Sequence, residues 1–156
     1  MTDSLAQVAN RADLAVATAR AELVAAVRAA AAEGMTQGEI ARAIGRSQPE
    51  VSRLLRFHGR SALGMRLRKR AIEVRRLVAE AGGSNVRVFG SVAKGSDRRG
   101  SDIDLLFSMN HPLSLLELGT LERQIGDLVG AEVDLVPEAA LRPDLRERAL
   151  SEAVPL

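Results

Sequence analysis

The chain of 156 residues has no cysteine, tryptophan or tyrosine, and only three phenylalanines. Without thiols, neither a disulfide nor a thiolate-bound metal is available to it. With so few aromatics, the core has to come from Leu, Val, Ile and Ala. There is also no uncharged apolar run approaching the ~20 residues that cross a bilayer, and positions 1–10 lack the basic segment and apolar stretch of a leader. A cytoplasmic protein with no membrane contact is expected. At 46% hydrophobic and 27% charged, the composition is globular. The length suits one ordinary domain or two small ones.

Lysine is nearly absent too: twenty of the 22 basic residues are Arg. The formal charge of +2 conceals an asymmetry, because residues 1–80 carry a net +6 and residues 81–156 a net −4. A basic first half suits a polyanion, and an acidic second half suits cations.

From Ser4 to Glu33 the chain is rich in helix formers, Ala above all, with no Gly before Gly34. One long helix or two abutting ones are expected. Ala9, Ala12, Val16, Ala19, Leu23, Ala26 and Ala30 recur at three-four spacing, a narrow seam for packing on the helix's own domain or on another helix. Thr36 caps a second helix reaching Ile44, and Ser47 caps a third that carries Pro49 in its first turn and closes at Gly59. A basic helix is expected from Ser61 to about Ala81. Then come strands at Val86–Phe89, Ile103–Phe107 and Val133–Val136, a loop over Gly90–Gly100, and helices over Leu115–Val129 and Arg142–Ala153. The fold class is α+β: an all-α domain over 1–60, then over 61–156 a short mixed sheet flanked by helices.

Residues 37–55 combine three constraints. Ala41 is small where two helices cross, Gly45 can take positive φ in a tight turn, and Ile40, Ile44, Val51 and Leu54 supply a shared core. The stretch resembles the helix-turn-helix of phage-repressor-like transcription regulators. Arg46, Gln48, Ser52, Arg53 and Arg56 then become the candidate contacts to base edges and phosphates. From Arg42 to Arg76 there are 11 basic and 2 acidic residues, which agrees with operator DNA as a partner. One such module reads half of a two-fold operator, so dimerisation would help it.

The most specific signal is Val86-Arg87-Val88-Phe89-Gly90-Ser91 followed, ten residues after Ser91, by Ser101-Asp102-Ile103-Asp104-Leu105. Two Asp at i and i+2 on a strand share one face. Carboxylates so close are relieved by cations between them, and two Mg²⁺ ions suit in-line displacement at phosphorus. Gly90-Ser91 lets backbone amides and a hydroxyl approach a triphosphate without a Cβ in the way. Asp134, between Val133 and Leu135, has the alternation of a third carboxylate, with Glu132 on the same face as a competitor. Lys94 and either Arg98 or Arg99 are weaker candidates for phosphate contact, a solvated loop tip being the favoured reading of the two arginines. His58 and His111 have no partner at metal-ligand spacing and read as a helix end and a turn.

Residues from about 63 to 156 resemble the minimal nucleotidyltransferases of the DNA polymerase β superfamily, whose signature is Gly-Ser, a spacer of about ten residues, then Asp-x-Asp. The resemblance implies that Asp102 and Asp104 bind both metals and that Asp134 binds one and helps deprotonate the acceptor. It also implies that Gly90 and Ser91 hold the β- and γ-phosphates of ATP. Such proteins commonly serve as the antitoxin beside an all-helical HEPN toxin, so the implied function is transfer of AMP from ATP onto a toxin hydroxyl, typically a Tyr. The added helix-turn-helix would repress the operon, with the chain a homodimer or a hetero-oligomer with the toxin. Three alternatives stand beside this: a repressor whose transferase domain does not turn over, a transferase acting on RNA 3′ ends and itself the toxin, and a protein that masks a toxin by contact alone.

Overall fold

In the computed structural model, residues 4–156 are described; the first three positions of the expected 1–60 domain lie outside them. The chain divides into two compact units, one ending at Leu55 and the other spanning Arg56–Leu156. The division follows the packing. Leu55 joins the first hydrophobic core, whereas Phe57 already packs against the second.

The first unit holds α1 (Leu5–Ala32), α2 (Gln37–Ile44) and α3 (Gln48–Leu55). Their starts are written locally. Ser4 with Gln7, and Thr36 with Glu39, form reciprocal capping boxes. Ser47 does the same with Glu50, whose carboxylate accepts from the Ser47 amide at 2.9 Å and hydroxyl at 2.7 Å. Gly45 ends α2 at φ 65°, a conformation that a side chain would strain. Val27, Ile40, Ala41, Val51 and Leu54 are buried together, with Leu23, Val24, Ala30, Ala31, Ile44 and Leu55 packed around them.

The second unit begins with α4 (Ala62–Lys69) and α5 (Ala71–Glu80), where one continuous helix was expected. Neither Pro nor Gly marks the break at Arg70. Leu67 before it and Val74 and Val78 after it are all buried in the same core, at the seven- and four-residue spacing of one helical face, so the two helices present one apolar face across the interruption. Then follow β1 (Gly83–Phe89), α6 (Gly90–Lys94), β2 (Ile103–Met109), α7 (Leu115–Val129), β3 (Val133–Pro137), a 3-10 turn (Glu138–Ala140), α8 (Pro143–Glu152) and β4 (Val154–Pro155).

The sheet is mixed, in the order β3-β2-β1-β4. β1 runs antiparallel to both β2 and β4, and β2 runs parallel to β3. Ile103, Leu105 and Phe107 project from one face into a core shared with Val74 and Val78 of α5 and Leu121, Ile125 and Val129 of α7. The alternate positions of β2 are thereby turned to the other face. β4 escaped sequence reading because two residues are too few to show alternation, although Val154 is fully buried against β1. The expected loop Gly90–Gly100 is also corrected, since its first five residues form α6, closed by Gly95 at φ 71°. Val92 and Ala93 are buried there, which gives that turn an apolar anchor. Among the described residues no helix is long and apolar enough to cross a membrane.

Candidate active site

The β2–β3 register decides which carboxylates meet. Asp104 pairs with Asp134 across a parallel ladder, so the two side chains leave the sheet on the same face. Asp102 lies two residues before Asp104, just ahead of β2, and shares that face by alternation. Its neighbour across the ladder is at Glu132, whose carbonyl accepts from the Ile103 amide at 2.9 Å. The core residues Ile103, Leu105 and Leu135 alternate with these acids, which ties the placement of the carboxylates to burial of the hydrophobic set.

Asp104 is the half-buried member, while Asp102 and Asp134 are exposed. Burial, and then the like charges of Asp134 and Asp102, push the Asp104 carboxyl up to about 6. Phe89, the last residue of β1, pairs with Asp104 across the antiparallel ladder, and Gly90 follows at once with φ 69°. A Cβ on Gly90 would overlap the Asp104 carboxylate oxygen. Glycine is needed there both for the left-handed backbone and for the close approach. Ser91 opens α6 beside it, half-buried.

The other candidates are placed differently. Lys94 is directed to Glu152 of α8 at 3.1 Å. Arg98 donates its amide to the Ser101 hydroxyl at 2.9 Å and accepts from the Ser101 amide at 3.0 Å, closing the loop that leads into Asp102; Arg98 and Arg99 are both exposed. In the first unit Arg46, Gln48 and Arg53 are exposed and Ser52 is half-buried. Arg46 reaches Glu50 at 3.9 Å, and Gln48 donates to Gln37 at 3.4 Å. Helix α3 ends at Leu55 rather than at Gly59, so Arg56 lies beyond the helix on which it was expected.

Two polar groups around the sheet went unnoticed in the sequence. Arg87 on β1 sits opposite Leu106 and donates to Glu138 at 2.6 Å; Glu138 also accepts from the Ser108 hydroxyl at 3.3 Å and pairs with Arg146 at 3.5 Å. The hydrogen bond from Arg87 chiefly holds the Glu138 carboxyl below its ordinary range. This cluster occupies the carboxylate face, where Leu106 is fully buried. The one available signal was a charge between Val86 and Val88 in a strand that proves to be internal. The second group is Glu122 on α7, which accepts from the Leu135 amide at 3.0 Å and so satisfies the outer edge of β3 next to Asp134. Glu122, Asp102, Glu132 and Asp134 also line an open depression of about 710 Å³ between α7 and β3.

Among the described residues, no three carboxylate or imidazole side chains are drawn together tightly enough to form a ready-made metal cage. The donor chemistry nevertheless fits a hard divalent cation, because Asp102, Asp104 and Asp134 are oxygen ligands whose mutual repulsion a cation would relieve.

Residues 68–156 match the Nucleotidyltransferase domain family. The chain belongs to that family. A protein of Methanocaldococcus jannaschii, provisionally named a protein adenylyltransferase, is 33% identical over 78 residues, which are 50% of this chain and 84% of that one. The protein adenylyltransferase MntA of Thermococcus cleftensis is 35% identical over 69 residues, 44% of this chain and 70% of the relative. A solved structure described provisionally as a minimal nucleotidyltransferase is 43% identical with a TM-score of 0.55, covering 62% of this chain and 98% of its own. The family match covers the second unit from residue 68 onward. Helices α1–α3 lie ahead of the family match.

Proposed function

We propose that this nucleotidyltransferase transfers AMP from ATP to a hydroxyl on a partner toxin, using Mg²⁺, and that its α2–α3 pair binds operator DNA. The observation that carries the transfer reading is the Asp104–Asp134 register, with Asp102 on the same face and Gly90 pressed against Asp104. Resemblance to proteins named protein adenylyltransferases supports a protein acceptor.

Asp102, Asp104 and Asp134 would hold the cations, two in this reading; bound there, Mg²⁺ supplies charge neutralisation on the phosphates. The chain's own part is positioning. Gly90 lets the Asp104 carboxylate lie against the turn that opens α6, where the amide and hydroxyl of Ser91 bind a phosphate. Asp134 takes the proton of the acceptor hydroxyl. The acceptor oxygen bonds to the α-phosphorus, the bond from that phosphorus to the bridging oxygen breaks, and pyrophosphate leaves with the electron pair. Asp104, half-buried and with its carboxyl pushed up to about 6, sits where added positive charge has the largest effect on its ionisation.

The DNA reading rests on geometry and charge together. Gly45 turns α2 into α3 around a buried Ile40–Ala41–Val51–Leu54 core, and Arg46, Gln48 and Arg53 are left exposed. Ser52 and Arg56 flank them, and Lys94 keeps its proposed phosphate role only if its pair with Glu152 opens.

The test is intact-mass spectrometry of the protein encoded beside this one, after incubation with it, Mg²⁺ and each nucleoside triphosphate in turn. A gain of one or more AMP units that disappears with Asp104→Ala supports the reading. No gain on protein, with label appearing on RNA instead, overturns it.

A further inference from the structure

Strand β3 stands at the edge of the sheet, with β2 as its one neighbour. Along a strand, the carbonyl and the amide of one peptide unit point to opposite sides. Asp134 and Leu135 share such a unit. Its carbonyl is turned toward β2, because the ladder starts with the Ile103 amide donating to the Glu132 carbonyl and repeats every second residue. Its amide, on Leu135, is turned outward, where no strand receives it. The Glu122 carboxylate does so instead, accepting at 3.0 Å. The peptide that leads out of Asp134 is therefore held from both edges.

Glu122 acts from a firm base. Its neighbour Leu121 and, one turn on, Ile125 are anchored in the core, and only residues 130–132 separate α7 from β3. Arg66 of α4 donates to the Gly130 carbonyl in that short connection at 3.0 Å. Protection of the edge does not by itself call for a carboxylate. Water satisfies an amide beside an open depression, and Glu122 shares that depression with Asp102, Asp127, Glu132 and Asp134, so its charge adds to their repulsion. What the bond fixes is a torsion. Turning the peptide between Asp134 and Leu135 changes ψ of Asp134, and with it the direction in which the Asp134 carboxylate leaves the strand relative to Asp104, its partner in register.

We propose that Glu122 is a positioning residue for nucleotidyl transfer: through the Leu135 amide it holds the Asp134 carboxylate at the setting from which that group takes the acceptor proton. Glu122 itself touches no substrate. The proposal rests on the reading of Asp134 as the group that receives the proton. A misplacement of about 1 Å in a reacting group costs on the order of 100-fold in rate, so one hydrogen bond beside Asp134 weighs more in turnover than in stability. Asp102, Asp104, Gly90 and Ser91 belong to other segments, and the hold on the nucleotide does not pass through Glu122.

The test compares the full chain with Glu122→Ala and Glu122→Gln, using ATP, Mg²⁺ and the protein encoded beside this one as acceptor. Glu122→Ala should lower kcat by more than about 10-fold and leave the KM for ATP within about 3-fold of wild type. Glu122→Gln, whose side-chain oxygen still accepts, should restore kcat to within about 3-fold. Amide hydrogen exchange followed by NMR gives a second readout that needs no transfer. The Leu135 amide should be protected in wild type and in Glu122→Gln and exchange at least about 10-fold faster in Glu122→Ala, while the Val136 amide, on the β2 side, stays unchanged. Near-wild-type kcat in Glu122→Ala, a Gln variant as slow as the Ala variant, or a Leu135 amide equally fast in wild type and Glu122→Ala overturns the proposal. So does a fall in kcat that comes with lost protection throughout β2 and β3, which would make Glu122 a residue of stability alone. A wild-type chain that transfers to no acceptor, with Leu135 behaving as stated, instead overturns the transfer reading on which the role of Glu122 rests.

Discussion

Asp104 and Asp134 occupy the same register of the parallel β2–β3 pair, and the carboxyl of Asp104 lies just beyond the Cα of Gly90. Three segments far apart in the chain are brought to one point by that relationship. Its electrostatic cost is visible in the Asp104 carboxyl, pushed up to about 6 by burial and by Asp134 and Asp102.

That cost gives Asp104→Asn a pH-dependent effect on stability. At pH values below 3.8 the carboxyl is protonated in both folded and unfolded chains, so replacement changes little. Above about 6 the native state carries a charge that the unfolded state bears more easily, and the neutral amide removes the penalty. Urea unfolding should show the variant more stable by about 1–2 kcal/mol at pH 7.5, a value reduced for solvent screening at a half-buried site, and equal to wild type near pH 3.5. Transfer activity should be lost. Equal stability at both pH values would contradict the electrostatic account.

Added Mg²⁺ should act in the same direction on the wild type. A cation held by these carboxylates binds only the folded state, so at a concentration 100 times its Kd it raises stability by about 2.7 kcal/mol. Asp104→Asn should lose most of that increment, as thermal unfolding with and without Mg²⁺ will show.

Gly90→Ala tests the close approach directly. A left-handed φ costs a non-glycine residue about 1–2 kcal/mol, and the new Cβ meets the Asp104 carboxylate. Transfer should fall by more than 10-fold while the chain remains folded. Near-wild-type turnover would show that Asp104 can move aside without consequence.

The Arg87–Glu138 pair should matter to stability more than an exposed ion pair does. Its donor side chain is only 13% exposed, and Glu138 also serves Ser108 and Arg146. Glu138→Ala leaves the Arg87 guanidinium poorly solvated and should cost about 1–3 kcal/mol. Because the native state holds the Glu138 carboxyl below its ordinary range, its contribution is present above about pH 4.5 and fades as pH falls through the lowered value. A double-mutant cycle with Arg87→Ala, at pH 7 and at pH 3, measures both statements.

For the DNA reading, Arg46→Ala and Arg53→Ala should each weaken operator binding. Removing an arginine that neutralises one phosphate makes the slope of log K against log salt shallower by about 0.9. An unchanged slope in both variants would assign these arginines to another task.

Much of this protein was legible residue by residue. The caps at Thr36 and Ser47, the left-handed turn at Gly45, and the alternation of Ile103 and Leu105 with Asp102 and Asp104 are local patterns, and the helices and strands formed where those patterns lie. The Gly-Ser…Asp-x-Asp spacing is likewise a property of the chain alone. Tertiary structure decided the rest, because it depends on what each segment meets. The break at Arg70 is announced by neither Pro nor Gly, and β4 exists only because β1 offers an edge to Val154. Glu138 is tied to Arg87 across 51 positions, and Lys94 is drawn to Glu152 across 58, separations that no periodicity reports. Which carboxylate stands beside Asp104 is a matter of register between strands thirty residues apart. Sequence places Asp134 on a strand; only the parallel ladder, set by burying Leu105 beside Leu135, puts its carboxylate next to that of Asp104.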